Sequence, residues 1–208
     1  MRRFLFGAIA GGAGLAFWIL ALAWADENSS APTATETAVF AGGCFWCVEA
    51  DYDKLDGVIA TVSGFAGGTV PDPTYKQVSA GGTGHVEVVQ VTYDPSIVSY
   101  RELVDYFWRH VDPLDAGGQF CDRGPSYRTE IFVAGEAQRQ TALASKTEAE
   151  AALGEPIVTA IVDLVAFYPA EDYHQNYYKE HPIRYRYYRS RCGRDRRINQ
   201  LWGDVDPA

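Results

Sequence analysis

The chain is short of positive charge. It sets 18 Lys and Arg against 27 Asp and Glu, a formal charge of −9 with a pI near 4.9. Nucleic-acid phosphates are neutralised by Lys and Arg, so this balance argues against a nucleic-acid partner. The arginines that are present crowd into "RYRYYRSRCGRDRR", Arg184 to Arg197. Neighbouring like charges repel, and the run reads as a solvated face. Cysteine is scarce as well. Four in 208 residues are too few and too unevenly placed for a disulfide scaffold. Only Cys44 and Cys47 form a close pair, whereas a closed structural zinc site usually draws on two such pairs; no metal is expected. No internal repeat is visible. With 47% hydrophobic and 13% aromatic residues, the composition does not read as disordered and suits one globular domain with a sizeable core.

Long apolar runs are confined to one place. Arg2 and Arg3 precede an uncharged stretch from Phe4 to Trp24, which ends in "AWA" before the polar "DENSSAPTATET". This is the layout of a signal peptide, residues 1–25, with cleavage after Ala25. The run is also close to the ~20 residues that span a bilayer, so an uncleaved anchor is the alternative. Either way the rest of the chain is expected to be exported, periplasmic or otherwise extracytoplasmic. Residues 26–37 read as a flexible linker, and residues 38–208 as the globular domain.

That domain opens on "AVFAGGCFWCVEADYDKL". Two cysteines three apart admit a redox dithiol, half of a metal site, or one nucleophile with an incidental neighbour. "TAVFAG" reads as a strand broken by Gly42-Gly43, and residues 45–55 as a helix, so Cys44 stands where a strand turns into a helix. Backbone N–H groups and the helix dipole favour a thiolate there. Further strands are expected at "VIATVSGFAGG" and "HVEVVQVTYD". In the latter, Glu87, Val89, Val91 and Tyr93 share one face, which leaves Glu87 a carboxyl in a covered strand and in need of an explanation. Ser99 and Glu102 make a capping box for the helix "SYRELVDYFWRHV". A helix ending at Gly154, a strand over residues 157–168, a short helix "EDYHQNYYKE" and an irregular C-terminal tail complete the chain. The sum is an α+β fold, one domain with a central mixed sheet flanked by helices.

"GCFWC" after a strand, "PTYKQV", "TGHVEVVQVTYDP", "FWRHVDP", "GGQFCDRGPSYRTEIF" and "FYPAEDYHQNYY" occur in this order between Val39 and Tyr178. In this the chain resembles the A-type peptide methionine sulfoxide reductases. The resemblance implies thiol-dependent reduction of methionine-S-sulfoxide, free or in oxidised proteins, by a monomer. It implies no cofactor beyond an external thioredoxin-like reductant. Carried over by motif, Cys44 is the nucleophile, Glu87 the proton donor, Tyr75 and Tyr127 hydrogen-bond donors to the sulfoxide oxygen, and Asp122 a residue that orients water or substrate. Phe45 and Trp46 match the pocket for the S-methyl group. Cys47 stands where the family commonly has Gly, Cys121 where it has a polar residue, and Phe65 where Tyr is frequent. The resolving thiol, which converts the sulfenic acid to a disulfide, is therefore open: Cys192 in the tail is placed first, Cys47 second and Cys121 third. Three rivals are carried forward. One is a cysteine–histidine hydrolase using His85, His110 or His174, another a thioredoxin-like dithiol, and the last a binding module with a structural disulfide.

Overall fold

The computed structural model describes residues 34–203. The proposed leader, residues 1–25, lies outside the described residues, as does most of the linker. The linker's last two residues, Glu36 and Thr37, already belong to the first strand, β1 (Glu36–Gly42). The order continues α1 (Phe45–Tyr52), β2 (Val58–Ala66), α2 (Tyr75–Ala80), β3 (Val86–Tyr93) and α3 (Tyr100–Trp108). Two short strands, β4 (Gly118–Gln119) and β5 (Asp122–Arg123), precede a 3₁₀ turn at Pro125–Tyr127. Then come β6 (Thr129–Val133), α4 (Glu136–Leu153), β7 (Ala160–Asp163) and β8 (Phe167–Pro169), a 3₁₀ turn at Asp172–His174, α5 (Tyr177–Glu180), α6 (Pro182–Cys192) and α7 (Arg194–Trp202).

The main sheet runs β7-β6-β1-β3-β2-β8, parallel between β6 and β7 and antiparallel elsewhere. Strand alternation sorts the side chains onto two faces. Phe40, Val89, Val91, Tyr93, Ile131 and Val133 join the main core with α1, α3 and α4. Val39, Ala41, Val86, Val88 and Phe132 form a second cluster. The capping box of α3 is present, with Ser99 Oγ accepting from the Glu102 amide at 3.2 Å and Glu102 Oε2 accepting from the Ser99 amide at 2.8 Å. Gly154 closes α4 in the left-handed conformation at φ 71°.

Three expectations are corrected. The single strand expected over residues 157–168 is two strands, β7 and β8, on opposite edges of the sheet. An apolar run has the same appearance whether it pairs once or crosses between edges. The helix "EDYHQNYYKE" is a 3₁₀ turn and a four-residue helix, divided at Asn176, whose φ is +53°. The tail expected to be irregular is two helices, α6 and α7, which close over α1.

Because of those helices α1 is covered on nearly every side. Phe45, Val48 and Tyr52 face the main core, while Cys47 and Ala50 pack with Tyr185 of α6. Glu49 is fully buried too. Its carboxyl faces the backbone amides of Asn176 and Tyr177, and burial pushes its pKa up to about 7.

Two stability outcomes are expected. Phe107 stacks on Phe40 at 5.4 Å and meets Trp108 edge-on at 5.2 Å, so Phe107→Ala should cost about 3–5 kcal/mol in urea unfolding. Glu49 binds its proton more tightly folded than unfolded, so its contribution to stability is lost as pH rises toward 7. Glu49→Gln should therefore gain on the wild type by about 1–2 kcal/mol between pH 5 and pH 8, measured as unfolding free energy at the two pH values. A constant difference would show that Glu49 does not titrate in this range.

Candidate active site

Cys44 sits at the turn from β1 into α1, and two glycines make that turn possible. A Cβ on Gly42 would lie 2.8 Å from Val48 Cγ2, and one on Gly43, at φ +83°, 2.5 Å from Gln119 Cβ. Cys44 is the N-cap of α1, and its carbonyl accepts the Cys47 amide at 3.0 Å. Cys44 is 6% exposed and Cys47 2%.

Glu87 enters from β3, opposite Phe65 of β2. Its Oε2 accepts the amide of Phe45, the first residue of α1, at 3.0 Å. Burial pushes this carboxyl up to about 8 against that hydrogen bond, and the negative charges of Asp122 and Cys47 add to the rise. Glu87 therefore carries a proton at neutral pH.

Tyr75 begins α2, where the capping box of Thr74 and Gln77 fixes the helix start. Its amide donates to the Glu171 carboxylate at 3.0 Å. Tyr127 ends the 3₁₀ turn after β5. The two phenols interact with each other, and both feel Glu87 and Cys44. Burial first, then Glu87, holds both above the ordinary phenol range, so they remain O–H donors. Asp122 opens β5. Its Oδ2 accepts the Tyr188 hydroxyl, and burial raises its pKa. Cys44, Glu87, Tyr75, Tyr127 and Asp122, drawn from five stretches of sequence, thus form one electrostatically linked group.

Phe45 points inward, 4.9 Å from the His174 ring, 5.9 Å from Phe65 and 6.3 Å from Tyr75. Trp46 is the half-exposed partner. It stacks on Tyr177 at 3.7 Å and 8°, and meets Tyr188 edge-on at 5.9 Å. The two rings give the site an aromatic wall suited to a small apolar group.

The cysteines divide differently from expectation. Cys121 and Cys192 are joined in a disulfide, with Cα atoms 4.8 Å apart, so the thiol placed first as the resolving group is already bonded to the one placed third. Cys44 and Cys47 are the free thiols, and each shifts the other's pKa. Burial pushes the Cys44 thiol up, helped by Cys47, Glu87 and Asp122. Cys47 moves down through its interaction with Cys44, against its burial and with the help of Arg194 and Arg189. Of the two thiols, Cys47 is the more acidic and Cys44 the less. Ligand atoms of Cys121, Asp122 and Cys192 lie within 4.8 Å of one another, but the disulfide takes both sulfurs.

The histidines bear on the hydrolase alternative. His174 Nδ1 accepts the Trp46 indole N–H at 3.2 Å. His85 bonds the Gly68 amide and the Val70 carbonyl, and His110 the Tyr106 carbonyl. Each of the three has a partner other than Cys44.

Reasoning from the sequence missed Tyr188, Tyr177, Arg189 and Arg194, and weighed His174 only as a hydrolase base. Three of the five lie in or beside the arginine-rich run read as a solvated face. The available signal was spacing: Tyr185, Arg189 and Tyr188 recur at three and four residues, which places them on one helix face.

The family model described as peptide methionine sulfoxide reductase matches residues 36–206. Peptide methionine sulfoxide reductase MsrA 2 of Rhizobium meliloti (strain 1021) is 54% identical over 167 residues, 80% of this chain and 83% of that one. The solved structure of Mxr1 from Saccharomyces cerevisiae in reduced form aligns with a TM-score of 0.69 at 34% identity, covering 73% of this chain and 88% of that one. A structure of the same yeast protein in complex with Trx2 aligns with a TM-score of 0.51 at 28% identity, covering 70% of this chain and 86% of that one. The chain belongs to the peptide methionine sulfoxide reductase family, on its A-type branch, and is an oxidoreductase.

Proposed function

We propose that the protein repairs oxidised proteins by reducing methionine-S-sulfoxide, free or peptide-bound, as a monomer, with Cys44 as nucleophile and Cys47 as resolving thiol. The observation that carries this reading is the buried, proton-bearing Glu87 bonded to the first amide of the helix that Cys44 caps. A sulfoxide sulfur is only weakly electrophilic, so attack by a thiolate needs the oxygen protonated as the S–O bond weakens. As Cys44 attacks, its proton passes to Cys47 and Glu87 delivers its own to the oxygen. Tyr75 and Tyr127 donate hydrogen bonds to the charge that develops there. Phe45 and Trp46 receive the methyl group.

The protonated oxygen passes as hydroxyl from the methionine sulfur to the Cys44 sulfur and the bond formed between the two sulfurs in the attack breaks, so methionine leaves, reduced by two electrons, and Cys44 is oxidised to the sulfenic acid. Cys47 then gives up its proton to the departing hydroxyl and, as the thiolate, attacks the Cys44 sulfur. The S–S bond forms, the S–O bond breaks, and the hydroxyl leaves as water with the Cys47 proton. An external dithiol reduces the disulfide by exchange. The complex of the yeast relative with Trx2 supports a thioredoxin-type protein in that role. Residues 1–25 we read as a signal peptide or anchor that exports the domain, a reading with which a disulfide at Cys121–Cys192 agrees.

The test uses dithiothreitol and each sulfoxide epimer, with chromatography of the methionine formed. The S epimer alone should be reduced, and Cys44→Ser should abolish turnover. Activity on both epimers, or activity surviving the substitution, refutes the reading. Since Glu87 must hold a proton, the single-turnover rate should fall as pH rises through about 8. Glu87→Gln should be slower by about 10²-fold at pH 7 and should lack that alkaline limb. Peptide mapping after one turnover without reductant should find Cys44 joined to Cys47, and a Cys44–Cys192 linkage would return the resolving role to the C-terminal helices. Fractionated cells should hold the domain outside the cytoplasmic membrane; recovery of the full-length protein from the cytosol would refute export.

A further inference from the structure

Two cations are sealed inside the protein beside the free thiols. Arg189 of α6 is 6% exposed and Arg194 of α7 2%. Asp51 lies four residues after Cys47, one turn on and on the same side of α1, and is also buried. It meets Arg189 Nη1 at 2.6 Å and Arg194 Nε at 3.7 Å. Arg189 turns its other N–H groups to the Tyr185 hydroxyl at 3.0 Å and to Asp195 at 2.7 Å, and Asp195 is half-exposed. Arg194 Nη2 donates to the carbonyls of Gly42 at 3.1 Å and His110 at 2.9 Å. Its guanidinium lies 4.7 Å over the Phe120 ring, and its Nε has no hydrogen-bond partner.

Carbonyls and rings solvate a cation without neutralising it. Arg189 is matched by both Asp51 and Asp195, whereas Arg194 has the shared Asp51 at 3.7 Å as its ion pair, so positive potential is left unmatched at Arg194. Tyr185, which bonds Arg189, packs directly on Cys47, and the Gly42 carbonyl held by Arg194 is two residues from Cys44. The unmatched potential therefore falls on the thiol pair, and on Cys47 foremost.

Resting on the reading of Cys47 as the resolving thiol, we propose that Arg194 is a positioning residue for the second step, holding Cys47 as the thiolate that attacks the Cys44 sulfenic acid. The ionisable groups facing Cys47 are consistent in sign with this role. Arg189 and Arg194 favour a negative charge, as does the interaction with Cys44. Asp51 on the same helix opposes it, while Glu87 on β3, protonated at neutral pH, adds no charge. Tyr185 and Tyr188 also face Cys47, and both stay neutral.

The experiment reads the Cys47 thiolate directly. In Cys44→Ser, with the Cys121–Cys192 disulfide intact, Cys47 is the remaining free thiol and is titrated by thiolate absorbance. Adding Arg194→Gln removes the cation but keeps an amide to meet the Gly42 and His110 carbonyls, and should raise the Cys47 pKa by about one unit or more. Adding Asp51→Asn removes the opposing carboxylate and should move it the other way. With Cys44 present, Arg194→Gln should form the Cys44–Cys47 disulfide about tenfold more slowly at pH 7, with the deficit closing as pH rises. Methionine release in the first turnover reports that the variant is folded. If Arg194→Gln does not fold, the Asp51→Asn titration decides. An unchanged Cys47 titration in every folded variant overturns the proposal. A wild-type peptide map without a Cys44–Cys47 linkage instead overturns the assignment of Cys47, whatever the titrations show.

Discussion

The hydrogen bond from the Phe45 amide to Glu87 ties the start of α1 to the start of β3. Nearly everything else at the site is placed by it. Cys44 precedes the donor by one residue, so the thiol cannot drift from the carboxyl without breaking a buried bond. The same bond opposes the rise in the Glu87 pKa, and burial prevails over it. That outcome depends on Phe65, Phe45 and the β3 core keeping water away from the carboxyl. A more open site would leave Glu87 charged at neutral pH, with its geometry unchanged and its proton gone.

The C-terminal helices complete what the sheet begins. The sheet and α1 supply Cys44, Cys47 and Glu87, but one side of α1 is left to be covered. Helices α6 and α7 cover it with Tyr185, Tyr188, Arg189 and Arg194, so a mostly polar surface closes over a thiol pair. Charge is then regulated on both sides of the reacting sulfurs. Glu87 on the sheet side keeps its proton, and Arg189 on the helix side keeps its charge.

The parts legible in the sequence were those where local rules and tertiary packing agree. The capping box at Ser99, the glycine stop at Gly154 and the alternation through Val89, Val91 and Tyr93 each need only a few adjacent residues. The C-terminal helices were illegible for a different reason. Beside Ile198, their buried side chains are Tyr185, Arg189 and Arg194, types that composition assigns to the surface, and the arginines are buried through partners such as Asp51, 138 residues away from Arg189. A charge run cannot announce which of its members finds a buried carboxylate. The pairing of Cys121 with Cys192 was illegible likewise, since 71 residues separate them and the fold alone brings them together. The division of residues 157–168 turned on a crossing between sheet edges that no local pattern marks.

The same disulfide has a consequence for a damaged chain. Within the segment it brackets, Val165 projects into solvent at 94% exposure, on the connection between β7 and β8, which makes this the natural place for a protease to cut. A cut there would divide the polypeptide between Cys44 and the helices that complete its site. Because Cys121 lies before the cut and Cys192 after it, the two fragments would stay covalently joined. The nicked protein would keep Tyr188 and Arg194 tethered to the thiols they serve, and the fragments would separate only on unfolding under reducing conditions.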